Sequence, residues 1–186
     1  MSLRYFDYYQ QLEKKLRIEE PLMVQAASLI ARRTLSGIAF EFWEHLPEMI
    51  PGKLIENPAN GIYETLEGTG KAIIDQLSVK QADIFLLLSN EGRDPSIVEL
   101  AQWIKSNGHL LIIVTGFDLS RSIKSQHSNG LRLFEFADLV LDNHAQMNDT
   151  ALSLSEVELA LCDSSSIATI LLLQQTLYFT VCQLIR

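Results

Sequence analysis

DIFLLLSNEGRDPSIVELAQWIKSNGHLLIIVTG, residues 83–116, decides the fold. After Asp83 the chain runs Ile84, Phe85, Leu86, Leu87, Leu88 without a polar interruption, the pattern of a strand covered on both faces, as in parallel sheets. SNEGRDP then reads as a loop. From Ser96 to Ser106 the apolar residues Ile97, Val98, Ala101 and Ile104 recur on one helical face, and Asn107-Gly108 supplies a stop. HLLIIVTG, residues 109–116, is a second continuous apolar run. Strand, helix and strand in such short succession make a crossover between two parallel strands. The resulting fold class is α/β, a parallel sheet flanked by helices.

Outward from that unit, helical spacing recurs twice before it, over residues 5–18 (Leu12, Leu16) and 20–33 (Leu22, Val24, Ala27, Leu29, Ile30). GIAFEF, residues 37–42, suits a strand, and Pro47 and Pro51 break the segment after it. Residues 50–69 read as neither helix nor strand. KAIIDQL, residues 71–77, fits a turn or two of helix. After the crossover come a polar stretch (117–130), a short helix around 131–136, the strand LVLDN (139–143), and a long helix that starts after Asp163-Ser164-Ser165-Ser166 and runs to about residue 184. No repeat, linker or low-complexity tract interrupts the chain, so a single domain over 1–186 is expected, with N-terminal helices at 5–33.

Of 186 residues 47% are hydrophobic, and 15 basic against 23 acidic residues leave a net charge of −8. That composition supports a packed core and excludes disordered, collagen-like and disulfide-stapled classes. The acidic balance opposes nucleic acid or an anionic membrane as partner. The N-terminus has no apolar run of the secretory kind, and the apolar stretch 167–185 is broken by Gln174, Gln175, Thr176 and Gln183. A cytoplasmic protein without a membrane span is the expectation. Cys162 and Cys182 read as buried thiols, and neither they nor the histidines His109 and His127 stand at metal-ligand spacing, so no metal and no cofactor are expected.

Ligands of open α/β sheets gather at the carboxyl ends of the strands, where loops feed into helix N-termini. Loop 89–94 lies there. It offers the Ser89 hydroxyl, the Asn90 amide, Gly92 for close backbone approach and Arg93 as an anion partner, while Asp94-Pro95 is good capping chemistry with the carboxylate turned onto helix amides. Ser164, Ser165 and Ser166 before the last helix serve equally as caps or as anion ligands. Gly68-Thr69-Gly70-Lys71 fails the phosphate-loop pattern, having Thr65 where Gly is required and Ala72 where a hydroxyl is required. His45 beside Glu41 and Glu44 reads first as a surface histidine among acids and only second as an acid–base pair.

LLLSNEGRDPSIVELAQWIKSNGHLLIIVTG resembles the central strand-loop-helix-strand of the SIS (sugar isomerase) family of phosphosugar-binding domains. SRSIKSQHSNGLRLFEFADLVLDN (120–143) is similar to the loop, short helix and last strand of an SIS subgroup in which a His-Ser pair and a Gly precede the helix. DSSSIATILLLQQTLYFTVCQLI resembles the terminal helix of that family. The resemblance implies a flavodoxin-like three-layer fold, a phosphorylated sugar or related small anion as ligand, and a homodimer. The ligand residues it implies are Ser89, Asn90, Glu91, Gly92, Arg93, Asp94, Ser164, Ser165 and Ser166.

Departures from the family pattern qualify the function. Where the family loop has Ser-x-Ser-Gly-x-Thr, Glu91 stands at the second Ser and Asp94 at the Thr, placing two carboxylates near the expected dianion. A like-charge contact at about 4 Å costs about 4 kcal/mol at an effective dielectric near 20. The Gly- and Ser-rich turn after the first strand is replaced by EFWEHLP, and the terminal helix has Gln174 and Gln175 but none of the histidine that phosphoheptose isomerase-like members carry. Two function classes are therefore expected: a non-catalytic or metabolite-sensing phosphosugar-binding module, and an aldose–ketose isomerase with Glu44, His45 or His127 as acid–base candidates.

Overall fold

The computed structural model describes residues 4–35, 65–147, 150–154 and 159–185. Helix α1 (Arg4–Leu16) passes through a 3-10 turn (Arg17–Glu19) into α2 (Glu20–Leu35). Then come α3 (Thr69–Ile74), β1 (Ile84–Leu88), α4 (Pro95–Ser106), β2 (Leu110–Thr115) and α5 (Phe117–Ser122). A second 3-10 turn (Leu133–Glu135) precedes β3 (Leu139–Asp142), the hairpin strands β4 (Thr150–Leu154) and β5 (Leu159–Asp163), and α6 (Ser165–Leu184). Strands β1, β2 and β3 form a parallel sheet in that order, with Leu86 opposite Ile112 and Ile112 opposite Leu139. Strands β4 and β5 pair antiparallel as a separate two-stranded sheet.

The period-2 alternation of strand side chains splits the core into two layers. Ile112, Val114, Leu139 and Leu141 point to one face, where Leu12 and Leu16 of α1, Met23 and Ala26 of α2, and Ala168, Leu172 and Leu173 of α6 cover them. Leu87, Leu111 and Ile113 point to the other, against Ile74 of α3, Ile97, Val98, Ala101 and Ile104 of α4, and Leu133. Helices therefore flank both faces of the parallel sheet, which is the expected α/β arrangement. Helices α2 and α6 approach closely because Ala26, Ala27 and Ala31 give α2 a low surface against α6. Thr176 and Thr180 are buried in α6 because their hydroxyls donate back to the carbonyls of Leu172 and Thr176, at 2.7 and 2.8 Å.

Several expectations are corrected. Continuous burial holds for β2 from Leu111 to Thr115 but not for β1, where Leu87 alone is buried, because β1 lies at the edge of the described sheet. The short helix at 131–136 is a single 3-10 turn, and the polar stretch after Gly116 opens with α5. Cys182 is half-buried rather than buried, and the Cys162 side chain lies outside the described residues. The hairpin is an element that sequence reading does not anticipate, although Leu152-Ser153-Leu154 and Leu159-Ala160-Leu161 alternate as strands do. The strand expected at 37–42 lies outside the described residues. Among the described residues α6 is the one helix long and apolar enough to cross a membrane, and it packs along α2 and the sheet.

Candidate functional site at the carboxyl edge of the sheet

Loop 89–94 leaves β1 and is fixed on all sides by backbone bonds. Ser89 N–H donates to the Val114 carbonyl, Gly116 N–H to that of Asn90, Leu133 N–H to that of Gly92, and Gln126 N–H to that of Arg93, all between 2.8 and 3.1 Å. The Ser89 hydroxyl accepts from Gly92 N–H at 3.0 Å, closing a tight turn that does not use the hydroxyl's own proton. Gly92 sits at φ +60°, and a Cβ there would lie 3.0 Å from Leu133 Cβ and 3.1 Å from Ser120 Oγ. Only glycine meets both conditions, the left-handed backbone and the close floor.

Asn90 is the keystone of this edge. Its Nδ2 donates to Ser165 Oγ at 2.8 Å, its Oδ1 accepts from Asn143 Nδ2 at 2.8 Å, and its carbonyl also accepts from Thr115 Oγ1 at 3.1 Å. Asn143 Nδ2 further donates to Thr169 Oγ1 at 2.9 Å. The loop after β1, the end of β3 and the first turn of α6 are thus one network, in which Ser165 is bonded to loop 89–94. Ser164 and Ser165 are buried and Ser166 is exposed. Ser164 holds the N-cap position of α6 without a side-chain bond to the helix amides.

The charged residues depart from expectation. Glu91 is paired: its Oε2 lies 2.5 Å from Arg93 Nε, so its charge is offset within the loop. Asp94 occupies the N-cap position of α4, and its carbonyl accepts from Val98 N–H at 3.1 Å, but its carboxylate makes no capping bond. The carboxylate therefore remains half-buried, and burial, reinforced by the Glu91 charge, raises its pKa above the ordinary carboxylate value despite Arg93.

Of the acid–base candidates, the structure describes His127 alone. Glu44 and His45, with Glu41, lie outside the described residues. His127 follows Gln126, whose N–H bonds loop 89–94, and its own ring has Nδ1 accepting from Asn129 N–H at 3.0 Å and Nε2 3.8 Å from Glu99 Oε1. Glu99 in turn accepts from the Gly68 and Gly70 amides at 2.5 and 2.8 Å. The glycine-rich start of α3, which fails the phosphate-loop pattern, is thus filled by a carboxylate of the chain itself.

Sequence reading misses a second group at the same edge. Asp142 ends β3, and its Oδ1 accepts from the amides of Phe117 (3.0 Å) and His144 (2.8 Å) while Oδ2 lies 3.2 Å from His144 Nδ1. Asp142 N–H donates to the buried Glu19 at 3.2 Å. The signal available is Asp-x-His directly after an apolar strand. The Asp142 hydrogen bond holds His144 above its ordinary pKa of 6.5 against the opposing effect of burial. Burial pushes Asp142 up, but the bonds from His144 and Phe117 outweigh it and hold the carboxyl below 3.8. Glu19 is raised by burial.

These shifts link stability to pH with a definite sign. His144, with its folded value raised, contributes stability that is present below pH 6.5 and lost as pH rises through the folded value. Asp142, with its folded value depressed, contributes stability present above 3.8 and lost on acidification through its folded value. Thermal unfolding followed against pH is therefore expected to show wild type losing stability above about pH 6.5, and His144→Gly losing less over the same interval. Parallel profiles would contradict the pairing.

Comparison with known proteins gives this edge a family. A family model described as SIS domain matches residues 23–116, which include loop 89–94 and the start of α4. UPF0309 protein lmo0025 of Listeria monocytogenes is 41% identical over 195 residues, covering 97% of this chain and 83% of that protein. UPF0309 protein ABC0887 of Shouchella clausii is 38% identical over 104 residues, and there the match covers 56% of this chain and 42% of the relative. A family match over half the chain, joined to a relative aligned almost throughout and to a parallel sheet with helices on both faces, shows that the chain belongs to the SIS-domain family, among the relatives of the UPF0309 proteins.

Proposed function

We propose that the chain is a single-domain, non-catalytic phosphosugar-binding module that senses a metabolite, its ligand phosphate held by loop 89–94 at the start of α4. The observation that carries this reading is the tight turn of Ser89 and left-handed Gly92 that leads directly into a twelve-residue helix at the carboxyl edge of a parallel sheet. The Glu91–Arg93 pair supports it, because an offset carboxylate no longer opposes a dianion with its full charge. Asn90 and Ser165 contribute by holding the cradle rather than by touching the ligand, since their side chains already bond each other. Calorimetry with hexose phosphates tests the reading: Ser89→Ala is expected to weaken binding by about 1 to 3 kcal/mol, the effect of removing a hydrogen bond to a charged acceptor. Unchanged affinity would place the phosphate elsewhere.

Assembly as a cytoplasmic homodimer belongs to the same proposal. Leu171, Gln174, Tyr178, Val181 and Ile185 are spaced by alternating three and four residues along α6 and its C-cap, and all are exposed, opposite the buried ridge Ala168, Leu172, Thr176 and Thr180. That spacing is the seam of a packed helix pair. Sedimentation equilibrium at micromolar concentration is expected to give twice the 21.0 kDa chain mass, and Tyr178→Glu to give the monomer. A wild-type monomer would contradict it.

A further inference from the structure

His144 is the one non-glycine residue with positive φ among the described residues, at +55°. Its strained backbone is retained by the two bonds that Asp142 makes to its amide and its ring. The ring is oriented with Nδ1 toward Asp142, and the remaining nitrogen, Nε2, is buried with no hydrogen-bond partner among the described residues. An imidazole nitrogen in that position needs a partner in either protonation state, as acceptor when neutral and as donor when charged. A hydroxyl is the group that satisfies both.

The ring borders a cleft of about 100 Å³ between the end of α1, the start of α5 and the segment after β3. Lys15, Asp118, Asp142, His144 and Gln146 line it. Two carboxylates in so small a space, with Glu19 buried behind Asp142, oppose a phosphate there. A donor (Lys15), an acceptor (Asp118) and a side chain that does both (Gln146) suit the vicinal hydroxyls of a polyol. Strands β1 and β3 stand two strand spacings apart, about 10 Å, which is comparable with the reach of a phosphorylated sugar, and the Asn143–Asn90 bond fixes the two strand ends to each other.

We propose that the cleft beside His144 is the subsite for the hydroxylated end of the sugar whose phosphate sits at loop 89–94, with His144 Nε2 and Lys15 as its specificity-determining contacts. The inference rests on the phosphosugar reading and adds to it the half of the ligand that phosphate chemistry does not address.

Calorimetry with inorganic phosphate and with a panel of pentose, hexose and heptose phosphates separates the two subsites. His144→Gly relieves the left-handed backbone, so the variant keeps its fold. It is expected to weaken the best sugar phosphate about tenfold, the scale of one lost buried polar contact, while inorganic phosphate affinity stays within about twofold. Lys15→Ala is expected to act in the same direction. Ser89→Ala is expected to weaken both probes alike. In nuclear magnetic resonance the His144 ring signals are expected to move on adding the sugar phosphate and to stay in place on adding inorganic phosphate. Sugar-phosphate affinity that falls in Ser89→Ala but holds within about twofold in both His144→Gly and Lys15→Ala would overturn the subsite and leave the phosphate reading standing. Failure of wild type to bind any probe would overturn both.

Discussion

Asn143→Ala is expected to destabilise the folded chain by about 3 kcal/mol, from three hydrogen bonds worth about 1 kcal/mol each and the groups left stranded. Asn143 is 2% exposed, and its side chain serves Asn90 Oδ1, Thr169 Oγ1 and the Ala145 amide at 2.8, 2.9 and 3.0 Å. Truncation leaves an acceptor on loop 89–94, a hydroxyl on α6 and an amide after β3 without that partner in a place water reaches poorly. The cost is greater than that of a surface polar substitution, usually within about 0.5 kcal/mol, because the network spans three elements distant in sequence. Urea unfolding should show a lower midpoint with an unchanged slope. A loss below about 1 kcal/mol would mean that Asn90 and Thr169 find other partners.

Gly70→Ala is expected to cost a similar amount by a different route. A Cβ built there clashes with the Ser96 carbonyl oxygen and lies 2.6 Å from Glu99 Cβ, so α3 must move off α4. That movement also breaks the bond from Gly70 N–H to Glu99 Oε2 at 2.8 Å and opens the contact around Ile74. Overpacking of this kind costs about 1 to 3 kcal/mol before the hydrogen bond is counted. Gly68→Ala is the control. Nothing lies within 4 Å of its added Cβ, so the penalty is that of the left-handed φ of +94° alone, about 1 kcal/mol. Equal losses at the two positions would contradict the steric account.

The parallel sheet is legible in the sequence because its strands carry their own signal. Five consecutive apolar residues in β1 and six residues of β2 from Leu110 to Thr115 have no amphipathic reading, and Asp94-Pro95 and Asn107-Gly108 mark the ends of α4 from local backbone chemistry. The hairpin β4–β5 escapes because it comes after a strand and before a long helix without an Asn-Gly type of turn between its arms. At the site, loop 89–94 and the serines can be found from residue type, but their connection through Asn143 cannot, since that bond joins residues 53 positions apart in sequence. The charges mislead for the same reason. Sequence order shows Glu91 and Asp94 as two acids in one loop; only the fold shows Arg93 paired with Glu91 and Asp94 without a capping bond to the helix amides. His144 is the clearest omission, because its role depends on a left-handed backbone that no residue pattern announces.

Phosphosugar binding is tested most sharply by the unfolding temperature of the wild-type chain against a panel of sugar phosphates, each compared with its unphosphorylated sugar. A ligand present at 100 times its dissociation constant stabilises the folded state by about 2.7 kcal/mol, a shift of several degrees for a chain of this size. Such a shift is expected for at least one sugar phosphate, with none for the matching free sugar, and it should be lost in Ser89→Ala. Equal shifts with and without the phosphate, or none across the panel, would contradict a phosphate site at loop 89–94.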